Sequence, residues 1–333
     1  MSAPTLRVEN LSTQFITRAG VANAVNEVSF EIGRGEVLGL VGESGSGKSM
    51  TGYSLLGMVD APGRIAGGRV LFTGRDGITT DLRTLREPEL RRLRGDRIAM
   101  IFQDPMMTLN PVLSIETQMV ETLRAHRRIT RADARARSRD MLARVGIPAP
   151  DERLAAYPHQ FSGGMRQRVA IAIALLNQPD LVIADEPTTA LDVTLQGQIL
   201  ALMQGLCAET GLSLLWITHD LSVVAGLADR VAVMYAGRLV EQGPVAAVID
   251  DPRHPYTAGL IASAPSRNRR GQPLAQIAGA TPALLKLPSG CSFHPRCAQA
   301  QDDCRNAEPG PTVASAAAGR REWRCFHPVG EGA

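Results

Sequence analysis

Eight consecutive residues, Gly42-Glu43-Ser44-Gly45-Ser46-Gly47-Lys48-Ser49, combine glycines, a lysine and a hydroxyl at the spacing of a phosphate-binding loop. Glycines let a backbone curl until successive N–H groups point at phosphate oxygens, and a following helix N-terminus adds partial positive charge. Lys48 is expected to reach the β- and γ-phosphates of a nucleotide, and Ser49 to offer its hydroxyl to Mg²⁺. Lys48 and Lys286 are the only lysines among 36 basic residues. Where nearly every cation is arginine, a lysine in this loop marks a need for a compact point charge.

Other residues could share that chemistry. Asp185-Glu186 follow the apolar run Leu181-Val182-Ile183-Ala184. Asp185 suits the coordination of a Mg²⁺-bound water, and Glu186 the positioning or deprotonation of the water that attacks a γ-phosphate. Gln103 follows the apolar run Ile98 to Phe102, and His219 follows Leu214 to Thr218. Both thus stand at strand exits, where open α/β sheets place their chemistry. Ser162-Gly163-Gly164-Met165-Arg166-Gln167 is a second candidate anion site with no lysine of its own. Its serine can cap a helix and its glycines allow close backbone approach.

These groups need elements to hold them. A phosphate loop must leave a strand and enter a helix; Val37 to Val41 supplies the apolar strand, and Lys48 to about Met58 the helical pattern. Before it, residues 5 to 36 alternate apolar and polar side chains, predicting antiparallel strands with a turn at Arg18-Ala19-Gly20. Phe15, just before that turn, suits either an adenine ring or the core. Strands are expected at Gly67 to Thr73, Ile98 to Phe102, Leu181 to Ala184 and Leu214 to Thr218, with a hairpin of Val231–Tyr235 and Arg238–Glu241 about Ala236-Gly237. Helical periodicity covers 112 to 147.

Composition narrows the classes. The length predicts one large domain with an appendage, or two domains. A net charge of +3 gives no broad field for nucleic acid. Eight arginines fall between Arg124 and Arg144, but no aromatic lies between Met119 and Pro150 to stack on bases, so they read as the solvated face of a helical subdomain. No apolar run approaches the roughly 18 residues of a membrane span, and the first ten residues lack a secretory pattern. Five cysteines suit a disulfide framework poorly. Cys291, Cys297, Cys304 and Cys325 cluster near the end, separated by five, six and twenty residues. Four thiolates suit either Zn²⁺ or an iron–sulfur cluster, and the wide intervals lean toward the larger group.

Taken in order, the phosphate loop, Gln103, the Ser162–Gln167 signature, Asp185-Glu186, Ala190-Leu191-Asp192 and His219 resemble the nucleotide-binding subunit of an ABC transporter over residues 5 to 250. The resemblance implies an α/β fold: a P-loop NTPase (ABC ATPase) core with an antiparallel β subdomain, a helical subdomain at about 105–165, and a small C-terminal extension from 251 to 333. It implies ATP and Mg²⁺ bound by Phe15, Gly42 through Ser49, Met50, Gln103 and Asp185, with Glu186, His219, Gln103 and Lys48 catalytic. It also implies two such subunits sandwiching two ATPs, with Ser162, Gly163, Gly164, Gln167 and Asp192 acting across to the partner.

Arg253-His254-Pro255-Tyr256-Thr257 and Gly290-Cys291-Ser292-Phe293-His294-Pro295-Arg296-Cys297, with Cys304 and Cys325, look like the C-terminal extension of importers of dipeptides, oligopeptides and sometimes nickel, the dipeptide branch fitting best. That resemblance implies a four-iron four-sulfur cluster on Cys291, Cys297, Cys304 and Cys325, with Zn²⁺ as the alternative. His294 and His327 are possible substitute ligands. It implies a non-identical second ATP-binding subunit, two membrane permeases, an extracytoplasmic substrate-binding protein, no nucleic acid, and a peripheral place on the cytoplasmic face of a bacterial inner membrane. A nickel or other small-solute importer, or a soluble non-transport ABC ATPase, is the competing reading.

Overall fold

The structure, a computed structural model, describes residues 3–189, 191–264, 275–316 and 319–330. The chain begins with β1 (Leu6–Thr17), β2 (Gly20–Ile32), β3 (Val37–Val41), α1 (Lys48–Leu55), β4 (Gly63–Thr73), β5 (Thr79–Asp81) and α2 (Glu87–Leu93). Then follow β6 (Ile98–Ile101), α3 (Pro105–Thr108), α4 (Ile115–His126), α5 (Arg131–Arg144), α6 (Pro150–Ala155), α7 (Gly163–Leu175), β7 (Leu181–Asp185) and α8 (Val193–Thr210). The last third holds β8 (Ser213–Thr218), α9 (Leu221–Leu227), β9 (Arg230–Tyr235), β10 (Arg238–Pro244), α10 (Val245–Asp250), α11 (Pro255–Ser263), α12 (Asp302–Asn306), β11 (Thr312–Ala316) and β12 (Gly319–Trp323).

Two compact units are present. One comprises Met1–Leu6, Ile32–Glu36 and Phe72–Leu215; the other Arg7–Glu31, Val37–Leu71 and Trp216–Ala333.

In the first unit β6 and β7 pair in parallel, Ile98 opposite Leu181 and Ile101 opposite Ala184. All five β7 residues are buried, as expected for an apolar run covered on both faces. The 112–147 helical pattern resolves into two helices, α4 and α5. Thr130 ends the break: its hydroxyl accepts from the Asp133 N–H at 3.1 Å and donates to the Asp133 carboxylate at 2.7 Å, a cap that starts α5 anew. Leu123, Leu142 and Val145 are buried. The arginines face outward in ion pairs, Arg131 and Arg135 with Glu116 at 3.3 and 3.2 Å, and Arg144 with Glu209 at 2.6 Å. The solvated-face reading of this basic stretch therefore accounts for it.

In the second unit β1 and β2 form the expected pair, with β4 on the other side of β1. β4 begins at Gly63 rather than Gly67, because the Gly67-Gly68 pair sits inside the strand. Gly68 has φ +91 and a Cβ there would meet the Asn10 and Leu11 backbone at 2.5 to 2.6 Å. A second sheet runs β11-β12-β10-β9-β3, parallel only between β3 and β9. The tail hairpin β11–β12 thus adds to β10, Glu241 opposite Trp323, and covers its edge. Val41, Val224, Val231, Val233, Tyr235, Val248, Tyr256 and Phe293 form one buried cluster that joins β3, β9 and the C-terminal segment.

Candidate functional site

The phosphate loop leaves β3, whose five residues are all buried, and enters α1. Gly47 caps that helix with φ +105, and a Cβ on it would collide with the Ala24 carbonyl, so only glycine fits. The curl is closed by the Ser46 N–H, which donates to the Glu43 carbonyl at 3.2 Å. Lys48 is buried and its Nζ donates to the Gly42 and Glu43 carbonyls at 2.8 and 3.0 Å. The ammonium is therefore held inside the curl of its own loop. Ser46 Oγ is buried with no hydrogen-bond partner, and α1 ends at Leu55 before Gly57, φ +64.

Glu43 points elsewhere. Its carboxylate receives a forked pair from Arg296, 2.6 Å to Oε2 and 3.0 Å to Oε1, and a third bond from the Thr281 hydroxyl at 2.8 Å. Its backbone N–H donates to the Tyr256 hydroxyl at 2.8 Å. The Arg296 hydrogen bonds, against burial, hold the Glu43 carboxyl below the usual carboxylate range; Glu43 in turn raises the Arg296 guanidinium. Arg296, Thr281 and Tyr256 are contacts that spacing alone does not reveal.

His219 is exposed in this same unit, between β8 and α9, and Asp220 beside it caps α9 by accepting from the Ser222 N–H at 2.8 Å. Phe15 is half-buried on β1, its ring close to Gly63. Met50 lies in the first turn of α1.

The other unit carries the acids and the signature. Asp185 ends β7 and is buried. Glu186 follows with φ +44, a left-handed backbone that an ordinary side chain enters at a cost of roughly 1–3 kcal/mol. That turn places Glu186 Oε2 2.9 Å from the Thr189 hydroxyl, which donates to it, and 3.4 Å from Gln103 Nε2. The sheet therefore brings together two of the residues singled out from sequence, because β6 and β7 are neighbours with aligned ends.

At the start of α7, Ser162 caps the helix by accepting from the Met165 N–H at 3.4 Å. Ser162 and Gly163 are exposed, and a Cβ on Gly163 would meet nothing within 4 Å. Gly164 differs: a Cβ there would sit 2.9 and 3.1 Å from the Leu195 methyls. Gln167 is buried with Nε2 unpartnered. Asp192 caps α8, accepting from the Leu195 N–H at 2.9 Å; Ala190 lies outside the described residues.

Cys291, Cys297, Cys304 and Cys325 line one small cavity with His294 and His327. All are free thiols. Burial pushes the Cys291 and Cys297 thiols up, and that of Cys325 up to about 12. Thiol sulfurs gathered in one cavity are the donor type that soft metals and clusters take. A tighter group among the described residues is Asp303, Cys304 and His327, with ligand atoms within 4.8 Å of one another.

Known proteins fit this geometry. The ABC transporter family model matches residues 25–189, and the C-terminal region of oligopeptide/dipeptide transporters matches 240–304. The chain is 47% identical over 326 residues to the oligopeptide transport ATP-binding protein OppD of Escherichia coli, covering 98% of this chain and 94% of that one. This chain belongs to the ABC transporter ATPase family. It is also 47% identical over 311 residues to the dipeptide transport ATP-binding protein DppD of Bacillus subtilis, covering 93% of this chain and 91% of that one. Among solved structures, the dimeric bacterial ABC transporter cassette MJ0796 matches with a TM-score of 0.63 at 28% identity, over 72% of this chain and 98% of that one. An ABC ATPase binds ATP and Mg²⁺. No helix among the described residues is long and apolar enough to cross a membrane.

Proposed function

We propose that this chain is the ATP-hydrolysing subunit of an importer of di- and oligopeptides. It would couple ATP binding and hydrolysis, at an interface between two such subunits, to uptake through separate membrane permeases. The observation that carries the reading is a single chain holding both the ABC residue set and the C-terminal region typed on oligopeptide and dipeptide transporters.

Residues 1–250 form the ATP-binding domain, with a helical subdomain at about 105–165, and 251–333 the extension. Lys48 neutralises the β/γ-phosphates, and Ser49 and Asp185 would hold Mg²⁺, which screens the triphosphate when bound. Glu186 positions the attacking water and takes its proton; Gln103 senses the γ-phosphate and His219 donates to it. Phe15 supports the adenine. Ser162 and Gly163, exposed at a helix N-terminus with Gly164 behind them, suit the approach of a partner's nucleotide. Gln167 supports that turn and Asp192 crosses toward the partner.

Cys291, Cys297, Cys304 and Cys325 would hold a four-iron four-sulfur cluster that pins the tail, and Zn²⁺ is the other outcome. The chain works at the cytoplasmic face of a bacterial inner membrane, with a non-identical second ATPase, two permeases and an extracytoplasmic binding protein. Co-expression with those permeases tests the whole reading. Peptide-stimulated ATP hydrolysis and peptide uptake in vesicles are expected; stimulation by nickel alone, or co-purification with RNA or DNA and no permease, overturns it.

A further inference from the structure

Glu43 is an acid inside a loop built for polyanions, and it is tied to the C-terminal segment through both side chain and backbone. Arg296 forks onto its carboxylate, Thr281 adds a third bond, and the Tyr256 hydroxyl accepts from its N–H. The anchors are themselves rigid. The Arg296 side chain is 5% exposed, its guanidinium lies 5.8 and 5.9 Å from the Tyr235 and Phe293 ring centres, and Tyr235, Tyr256 and Phe293 pack with centroids 4.6 to 5.4 Å apart.

We propose that Arg296 and Tyr256 are positioning residues for nucleotide binding: the C-terminal segment straps the phosphate loop through Glu43, turning that carboxylate away from the triphosphate and cancelling its charge. The inference goes beyond the importer reading and rests only on the loop being the nucleotide site. Two physical effects follow from the strap. The loop is pre-organised, so less ordering is lost when ATP binds. An acid that would otherwise repel the phosphates at short range is neutralised, and that repulsion is strong at a partly buried site. Arg296 precedes Cys297 directly, so the fold of the cysteine segment and the shape of the loop are one mechanical unit.

The charge effect makes the test specific. Purified full-length chain is titrated with a fluorescent ATP analogue in wild-type form and as Arg296→Met, Glu43→Gln, the double variant and Tyr256→Phe. Arg296→Met, which leaves Glu43 charged and loose, is expected to raise Kd about tenfold, the scale of losing hydrogen bonds to a charged group. The double variant is expected to recover to within about threefold of wild type, since the stranded charge is gone. A merely structural role for Arg296 would leave the double variant as weak as the single one, and that result, or an unchanged Kd in Arg296→Met, overturns the strap. If Arg296→Met does not fold, Tyr256→Phe carries the test: it removes one hydroxyl and should raise Kd roughly threefold, whereas unchanged affinity there overturns the proposal. Absence of binding by the wild-type chain instead refutes the nucleotide site itself.

Discussion

Enlarging Gly163 and enlarging Gly164 should have opposite signatures, although the two residues are adjacent. Gly163 is the first residue of α7, its φ is not left-handed, and a Cβ on it points into open space. Replacing glycine by leucine at such a helix position removes backbone freedom from the unfolded chain and should stabilise the isolated subunit by roughly 0.5–1 kcal/mol. Gly164 is buried against α8, and leucine there must displace Leu195, which is approached to 2.9 Å by the Cβ alone. Overpacking of this kind costs about 1–3 kcal/mol. If the exposed turn at Ser162-Gly163 faces a partner's nucleotide, Gly163→Leu blocks closure while leaving the subunit intact. Its Tm should equal or exceed wild type, its ATP affinity as a monomer should be unchanged, and its hydrolysis with the permeases present should fall about 10²-fold or more, the scale of losing preorganised donors at a transition state. Gly164→Leu should lower Tm as well as turnover. The decisive measurement is steady-state phosphate release by Gly163→Leu alongside its melting curve. Near-normal turnover in a well-folded Gly163→Leu chain refutes the assignment of that helix end to the partner's site.

Glu186→Gln should retain ATP binding while hydrolysis falls at least ~10²-fold, read by equilibrium binding and phosphate release on the same preparation; Glu186→Gly should also relieve the left-handed strain and raise Tm. His254 is buried, its Nδ1 accepts from the Tyr256 N–H at 3.0 Å, and burial holds its pKa down at about 3. An imidazole lowered in the fold loses stability as pH drops below its unfolded value near 6.5, by up to about 1.4 kcal/mol per pH unit. His254→Asn should therefore flatten the dependence of Tm on pH between 6.5 and 5, and an equally steep curve in the variant would remove His254 as the cause. Anaerobic purification should yield brown protein with about four irons per chain, and Cys325→Ser should lose the colour; colourless protein carrying zinc rejects the cluster.

Much of the site is legible in sequence because its signals are local. The Gly42–Ser49 loop lies between an apolar run and a helical pattern, and Leu181–Asp185 and Ile98–Ile101 are short enough and apolar enough to be read as buried strands. Their pairing supplies the approach of Gln103 to Glu186. What stays hidden depends on the fold. The break between α4 and α5 was marked by Thr130 three residues before Asp133, a capping pattern outweighed by continuous periodicity across 112–147. Gly67-Gly68 looks like the start of a strand and is a bend within one. The tail hairpin is hidden because the residues of Thr312–Ala316 are small and weakly patterned, and its partner β12 carries three consecutive charges, Arg320-Arg321-Glu322, with no alternation. Arg296 reads as a spacer between cysteines, and nothing near it in sequence points to Glu43, 253 residues earlier.

The hairpin's position on β10 bears on how the chain behaves when cut or unfinished. β10 is buried through Leu239 to Gly243, so without β12 its backbone N–H and C=O groups at Glu241 and Gln242 would form a bare border. Such a border recruits strands from other molecules. A nascent or clipped polypeptide lacking its last two dozen residues would retain the whole ATP-binding motif set, yet it would pass through a sticky intermediate until the final strand arrives. The terminal hairpin therefore shields the backbone edge of the strand it pairs with.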